Sequence, residues 1–326
     1  MEFRPSIIWA MDFDGGQAVA CHEQDSACRP TCGQFRWLHL NLADQLTREW
    51  IKAADGLPKP MKDMLLTSET HQRAIVEEGF VGCVLHDVER DFDRLDAERT
   101  GILRPTLGTE LMVTARHHPL RSADIVKRHI ERDGMPIRGP ADALDMAVSA
   151  IVENIGQVAS DQARQIERFE DELLDNADRF DHHRLIGIRR RVVQFHRLLS
   201  GMRAVFRRLE KDKELPGPLL PAVEKLAQQL GSIDAEMESI HAQLRLLREE
   251  ADLQAAQRTN QNLYVLSILS ALMLPATLVT GIFGMNTGGL PLAHSSEGTM
   301  LAVFLAAGLS IGIYGLLRLT GFVHRS

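Results

Sequence analysis

The sequence predicts an α+β protein with an N-terminal α/β domain, a long helical stalk and two C-terminal transmembrane helices. Three observations lead to this fold class. Up to about residue 135, short apolar runs alternate with Gly, Pro and Asp. From Ala141 onward, apolar residues recur at steps of three and four with few breaks. Between Thr259 and Ser296 there is no Asp, Glu, Lys or Arg.

The first predicted domain, residues 1–140, combines strands with short helices. Helical spacing follows Asp44 and Ser122, which stand where an N-cap is expected. The start of the chain lacks the basic and apolar regions of a cleaved signal, so we expect the N-terminus to stay in the cytosol. The strand-like runs are residues 6–13, 35–42, 80–88 and 110–117.

Three of the four cysteines, Cys21, Cys28 and Cys32, lie close together beside His22. In the reducing cytosol they indicate free thiols or a metal site before disulfides. Their spacing is not a strong zinc-finger pattern, so incidental loop cysteines are the favoured interpretation.

The second predicted domain, residues 141–258, is helical. Two long helices meet near residues 176–183, and the acidic run 170–175 is interpreted as a solvated face. An apolar heptad stripe then begins at Val223, which fits either a coiled coil or packing on the helices of its own domain. No break separates it from the charge-free run, so one helix from Ala222 to Phe283 would be roughly 90 Å long. Pro275 inside it is expected to cause at most a kink.

The third predicted domain, residues 259–326, crosses the membrane twice. The spans are residues 263–283 and 300–320, each long enough for about 30 Å of hydrocarbon, joined by the loop 284–299. Gly and Ala in the second span permit close helix packing. The only full charge in the loop is Glu297, whereas arginines flank the two spans. The positive-inside rule therefore places both termini in the cytoplasm.

Composition and motifs exclude two function classes. The net charge is −7 and no basic stripe is interleaved with aromatic residues, so nucleic acid is not an expected partner. The sequence has no phosphate-binding glycine loop, GxSxG or HExxH motif, so we predict no enzyme and no cofactor.

Polar and small residues follow one face of the first span. At 100° per residue this face covers about 120°. One helix cannot enclose water, so the stripe predicts a pore formed by several copies, with Leu263, Leu266 and Leu274 as hydrophobic constrictions. The predicted pore-lining residues are Asn260, Leu263, Leu266, Ser267, Ser270, Leu274, Thr277 and Gly281.

The loop after the first span supplies a candidate filter. A ring of Asn286 amide oxygens could accept hydrogen bonds from the waters of a hydrated cation. Glycines 281, 284, 288 and 289 allow tight turns that expose further carbonyls. A plain turn is the alternative for the loop alone.

Gly284-Met285-Asn286 at the end of the first span resembles the signature of the CorA superfamily of divalent-cation transporters, and the order of domains is similar over the whole chain. The residues after the signature, 287–292, lack the acidic segment usual in the magnesium branch and resemble the zinc branch, ZntB, as do residues 37–41 and 169–175. The resemblance implies a funnel-shaped homopentamer in the inner membrane, with Gly284, Met285 and Asn286 as the entrance filter.

Zn²⁺ transport is therefore the leading hypothesis, with Mg²⁺, Co²⁺, Ni²⁺ and Cd²⁺ as alternative ions and proton coupling left open. Zinc prefers imidazole and thiolate ligands, which the first span lacks, so it would pass hydrated or on oxygen ligands. His294 is a candidate ligand at the outer mouth, and Glu249 and Asp252 could attract cations from the inner side. The rival hypotheses are a Mg²⁺/Co²⁺ channel and a membrane-anchored scaffold or sensor.

Overall fold

The computed structural model describes residues 5–19, 28–30, 33–89, 100–176, 182–285 and 296–320. Contacts divide the chain into two compact units, Met1–Leu247 and Arg248–Ser326. The predicted N-terminal α/β domain, the long helix and the two apolar C-terminal helices are all confirmed. The finer division at residues 140 and 258 stays a prediction.

The N-terminal unit is built on a seven-stranded sheet in the order β2-β1-β3-β7-β6-β5-β4. Strands β3 and β7 are parallel, and every other neighbouring pair is antiparallel. The four predicted strand-like runs correspond to β1, β3, β5 and β7, whereas β2, β4 and β6 were not predicted. The strands are β1 Ile7–Asp14, β2 Gln17–Val19, β3 Phe35–Asn41, β4 Arg73–Glu77, β5 Phe80–Val88, β6 Thr100–Leu107 and β7 Leu111–Arg116.

Strand β3 is buried from Phe35 to Leu40, on both of its faces. Because it pairs with β1 and β7, neither edge of the strand is open. On one face of the sheet, Leu38 and Leu40 pack with Val113 and with Ile51 of the helix that follows. The two polar residues buried in this run have partners: Arg36 forms an ion pair with Asp12, and the His39 ring hydrogen-bonds Thr114.

Strand β6 was missed because it contains Pro105, which cannot donate to a sheet ladder. The structure accommodates this residue within an interior strand. The pairing of β5 with β6 steps from Gly82↔Thr106 to Leu85↔Leu103, so the ladder passes over the proline on that side. On the other side, Pro105 lies opposite Thr114 of β7.

Three short helices pack against the sheet: α1 Gln45–Ala53, α2 Lys59–Leu66 and α3 Arg121–Glu131. The Asp44 side chain accepts a hydrogen bond from the Leu46 backbone and caps α1 as predicted. The cap predicted at Ser122 is wrong. Helix α3 begins two residues earlier, at Arg121 with Leu120 at the N-cap, and the buried Ser122 hydroxyl donates to the Asp87 carboxylate instead.

The remaining helices are long: α4 Pro140–Asn176, α5 His182–Glu210, α6 Leu220–Gly284 and α7 Ser296–Leu319. Their bounds agree closely with the apolar periodicity of the sequence. In the N-terminal unit, Lys225 of α6 binds Asp145 of α4, and Asp234 of α6 accepts from Ser200 and Arg203 of α5. The heptad stripe of α6 is thus packed on helices of its own chain, which was one of the two interpretations left open.

Two of the described helices are long and apolar enough to cross a membrane, one within Gly217–Gly284 and one at Gly298–Leu319. In each, only 11% of the most apolar stretch is buried. A core helix of a soluble protein would be mostly buried. These two stretches instead expose a large apolar surface, which is typical of helices that contact lipid.

Candidate functional site

The predicted pore-lining face of α6 lies open in the single chain. Every one of its eight residues, from Asn260 to Gly281, is exposed. The three leucines proposed as constrictions are each more than half exposed, with Leu263 at 55%, Leu266 at 57% and Leu274 at 69%. These residues share a face that the chain itself does not cover, and their role in a pore stays a prediction.

The opposite face of α6 packs on α7. Val279 forms a small buried cluster with Ala302 and Ala306, against which Ala276 and Phe283 also pack. With 100° per residue, this contact face is centred about 180° from the predicted pore-lining face. The second span therefore occupies the side of the first that the polar stripe avoids.

Small residues and one hydroxyl make this helix pair possible. Ala302 and Ala306 are four residues apart on α7, a spacing that lets two helix backbones approach closely. The Ser310 hydroxyl donates to the Leu272 carbonyl of α6 at 2.9 Å. Sequence reasoning noted the small residues of this span but missed Ser310. The available signal was that Ser310 is the one polar residue in the stretch 300–313 of this helix.

The threonines of α6 present oxygen lone pairs rather than protons. The Thr277 hydroxyl donates to the Met273 carbonyl of its own helix at 2.9 Å. A hydroxyl has one proton and two acceptor lone pairs, so its proton is used within the helix and its free lone pairs face outward. Thr280 donates in the same way to Ala276, but it lies outside the 120° stripe.

A shallow groove of about 460 Å³ runs along the C-terminal end of this face. Leu274, Thr277 and Gly281 of the predicted stripe line it together with Met285. The helix ends at Gly284, and the Met285 backbone N–H still donates to Gly281. The groove therefore reaches Met285, the second residue of the predicted filter. Asn286 and His294 lie outside the described residues.

The carboxylates predicted to attract cations lie on the same helix, nearer its start. Glu249 and Asp252 are both exposed. The Asp252 carboxylate is 3.7 Å from the Arg248 guanidinium one helical turn earlier, so part of its field is compensated. Their role toward cations stays a prediction.

Potential zinc ligands in the N-terminal unit serve packing. Among the residues that the structure describes, no three His, Cys, Asp or Glu side chains form a metal-binding group. The His39 ring stacks on Trp9 at 5.1 Å, and its Nε2 accepts from Arg116 at 3.1 Å. Burial lowers the His39 pKa to about 3, so the imidazole is neutral but its lone pair is engaged.

One cysteine of the predicted cluster, Cys28, lies in the part of the chain that the structure describes. Cys21 and Cys32 are not among the described residues, whereas Cys28 lies half-buried against Gly56. Burial raises the pKa of Cys28, and it raises that of Cys83 to about 12. Both thiols are therefore protonated at neutral pH, which disfavours them as metal ligands in this state.

Comparisons with known proteins extend over nearly the whole chain. The zinc transport protein ZntB of Photorhabdus laumondii is 22% identical over 292 residues, which cover 87% of this chain and 86% of the relative. The structure of the full-length CmaX protein superposes with a TM-score of 0.79 at 23% identity, covering 97% of this chain and 98% of the other.

The complete structure of the CorA magnesium transporter from Methanocaldococcus jannaschii superposes with a TM-score of 0.76 at 17% identity, covering 99% of this chain and 100% of the other. These likenesses establish the fold. The model of the family described as CorA-like Mg²⁺ transporter protein matches residues 33–319, from the third strand to the end of the last helix. The chain therefore belongs to the CorA-like Mg²⁺ transporter family.

Proposed function

We propose that the chain is a divalent-cation transporter of the inner membrane, with both termini in the cytoplasm, and that five copies surround an ion path lined by α6. One observation carries the proposal: the polar stripe of α6 is exposed and lies opposite the face that packs on α7. A two-helix anchor needs no such stripe. A shared aqueous path does.

Exposure of the stripe argues for several copies. Leu263, Leu266 and Leu274 are each more than half exposed beside Ser270 and Thr277. Lipid would satisfy the leucines but not the hydroxyl oxygens, which face a hydrocarbon that cannot hydrogen-bond. Several copies that turn this face toward a common axis would together enclose water next to the hydroxyl oxygens. Their leucines would form rings along the same path. The number five rests on the family resemblance.

The oxygen-lined path suits a hydrated cation. Thr277 presents acceptor lone pairs, and Gly281 leaves room beside them. Such oxygens accept hydrogen bonds from the waters around a divalent ion, so dehydration is not required. Gly284, Met285 and Asn286 would form the entrance filter at the outer end, with Glu249 and Asp252 supplying negative potential at the inner end.

Zn²⁺ is proposed as the transported ion because the relative cited above is named a zinc transport protein. The family description and the archaeal structure name magnesium, which makes Mg²⁺ the main competitor, ahead of Co²⁺, Ni²⁺ and Cd²⁺. An oxygen-lined path would discriminate only modestly between hydrated divalent ions. Between Leu263 and Phe283 there is no Asp, Glu, Lys, Arg or His, so a proton gradient would have to act through the ion's own waters or the cytoplasmic unit.

Ion-resolved flux into proteoliposomes tests the proposal. We expect zinc uptake that Asn286→Ala lowers at least tenfold, measured with and without a pH gradient. Strong magnesium flux that zinc does not inhibit would overturn the choice of ion. Absence of protein-dependent flux of every divalent ion would favour the scaffold or sensor, whereas wild-type flux that Asn286→Ala leaves unchanged would refute Asn286 as the filter.

Asn260 offers a matched pair for the inner end of the path. Asn260 lies on the stripe, whereas Asn262 is two residues further along the helix and lies outside it; both are exposed. Asn260→Ala should reduce zinc flux several-fold and Asn262→Ala should not. Equal effects of the two substitutions would argue against a path along this face.

Crosslinking tests the assembly without relying on transport. In a variant without native cysteines, Thr277→Cys should link copies into dimers under oxidation, because equivalent positions face a common axis. Leu269→Cys, exposed but outside the stripe, should stay monomeric on denaturing gels. Crosslinking at Leu269 alone, or a monomer by mass measurement in lipid nanodiscs, would contradict the shared path.

A further inference from the structure

A cavity of about 800 Å³ lies in the N-terminal unit between α5 and the residues just before β4, with His86 of β5 and Thr100 of β6 also lining it. Its size is within the range of sites for small organic molecules. No residue of the proposed ion path contributes to it. Two hydrogen bonds tie its walls together: Gln72 Nε2 donates to the Leu198 carbonyl at 3.0 Å, and Gln194 Nε2 donates to Thr100 Oγ1 at 2.9 Å.

The α5 wall of the cavity is strongly basic. Arg189, Arg190 and Arg197 all line it, and the described lining contains no Asp or Glu. Arginine stays protonated at any physiological pH, and its planar fork matches phosphate oxygens. Arg190 and Arg197 are seven residues apart on the same face of α5, which separates them by about 10 Å along the helix axis.

Part of the same wall is apolar and alternates with the arginines along α5. Ile186, Val193 and Leu198 line this part, and the Ile186 side chain is 54% exposed although it belongs to a folded unit. Apolar surface flanked by guanidinium groups suits a molecule that carries both a ring system and anionic groups. An inorganic anion alone would leave this surface unused.

The opposite wall supplies polar groups at defined positions. His71 and His86 line it, and His86 Nε2 lies 2.7 Å from the Thr70 carbonyl. Because a carbonyl only accepts, this nitrogen carries the proton. Gln72 is held close to α5 because residue 201 is glycine, where a Cβ would meet the Gln72 amide. The Gln72 Oε1 atom is buried without a hydrogen-bond partner among the described residues, so it lacks a donor.

We infer that this cavity binds a nucleotide, with its phosphates on the α5 arginines, its ring on Ile186 and Val193, and one of its N–H or O–H groups donating to Gln72. The combination of positive charge, an apolar wall and an unpartnered acceptor matches the three chemical parts of a nucleotide. The site is separate from ion transport, so its test does not depend on the proposed function.

Isothermal titration of the full-length protein in nanodiscs with ATP, ADP and AMP, in the presence of EDTA, tests the inference. We expect saturable binding of ATP that the double variant Arg190→Gln/Arg197→Gln weakens at least tenfold. The control is Arg207→Gln/Arg208→Gln, which removes two exposed arginines of the same helix outside the cavity and should leave affinity unchanged.

A second variant tests the ring subsite. Val193→Trp should fill the apolar wall and abolish ATP binding while intrinsic fluorescence reports an intact fold. Absence of binding of all three nucleotides up to about 1 mM, a weak limit for a specific site, would overturn the inference. The same conclusion would hold if binding were absent because a neighbouring copy covers the cavity. Equal affinity in both arginine double variants would also overturn it. Inorganic phosphate that binds as tightly as ATP would reduce the site to a simple anion site and refute the nucleotide assignment.

Discussion

Leu226 and Leu274 lie in the same helix, α6, yet Leu226 is fully buried and Leu274 is 69% exposed. From Val223 to Leu247 the apolar stripe of this helix is covered by helices of its own chain, as the buried Leu230 and Met237 show. From Leu263 to Gly281 its most apolar stretch is covered by almost nothing. One continuous helix thus meets two environments.

The difference separates two kinds of stabilisation. In the first region burial is complete within one chain, so folding in water can provide it. In the second region, the contacts that the described residues show are those with α7: the packing of Val279 on Ala302 and Ala306 and the hydrogen bond from Ser310 to Leu272. The rest of that surface requires lipid and, by our proposal, further copies. Substitutions should therefore affect stability in the first region and transport in the second.

The largest expected effect is in the first region. Leu226→Ala should lower the free energy of unfolding of the N-terminal unit by about 2–5 kcal/mol, because it leaves a cavity at a fully buried position. Urea denaturation followed by tryptophan fluorescence measures this unit alone, since Trp9, Trp37 and Trp50 are the three tryptophans of the chain and all lie in it.

Leu246→Ala is the control for that experiment. Leu246 is 65% exposed on the same helix, so its loss should change the free energy of unfolding by no more than about 0.5 kcal/mol. If both substitutions lowered the free energy of unfolding by a similar amount, the burial of Leu226 and the exposure of Leu246 would not describe the folded unit.

Acid should destabilise the N-terminal unit through His39. Its pKa of about 3 in the folded state is below the ordinary 6.5, so its contribution to stability is present above pH 6.5 and is lost as pH falls toward 3. At about pH 4.5, which is two pH units below the ordinary pKa, this group lowers the free energy of unfolding by about 3 kcal/mol, at about 1.36 kcal/mol for each pH unit. Urea titrations at about pH 7 and 4.5 measure this loss. The His39→Gln variant should lose less free energy of unfolding between these two pH values than the unmodified protein does.

In the second region a single hydroxyl should affect transport but not stability. Thr277→Val keeps the shape and removes the acceptor oxygen, so zinc flux should fall roughly two- to tenfold, corresponding to about 0.5–1.5 kcal/mol for one hydrogen bond. Thr280→Val is the matched control, because Thr280 makes the same bond to its own helix outside the stripe. If Thr280→Val reduced flux as much as Thr277→Val, the assigned pore face would be wrong.

The smallest expected effect concerns the contact between the two spans. Ser310→Ala removes the hydrogen bond to the Leu272 carbonyl and should destabilise the helix pair by about 0.6 kcal/mol, the average for such bonds in membranes. Unfolding in a detergent titration, followed by circular dichroism, measures it. Ser270→Ala on the exposed face should leave that midpoint unchanged, and a larger shift there would contradict the assignment of faces.

Sequence periodicity predicted the long helices well because each repeats its apolar residues over many turns. It failed where a residue's local preference was overruled by its neighbours. Pro105 argues against an interior strand, yet β6 forms because the ladder to β5 passes over it. Ser122 is a good cap by type, yet the buried Asp87 carboxylate engages its hydroxyl.

The candidate site shows the same division. The stripe from Asn260 to Gly281 was visible in the sequence because helical geometry alone places these residues on one face. Which side of α6 the second span would occupy was not visible, since that depends on how Ala302, Ala306 and Ser310 meet it. The basic cavity could not be predicted at all, because α5 and the loop before β4 are more than a hundred residues apart in the chain.

Local sequence pattern alone specifies the order of the helices, the two charge-free spans and the alignment of polar residues along the first of them. These properties follow from local periodicity and from the cost of charges in hydrocarbon, and they require no knowledge of contacts. Only the tertiary structure decided which face of α6 stays uncovered and which arginines converge on one cavity. Both depend on contacts between residues distant in the chain, and a linear pattern does not specify those contacts.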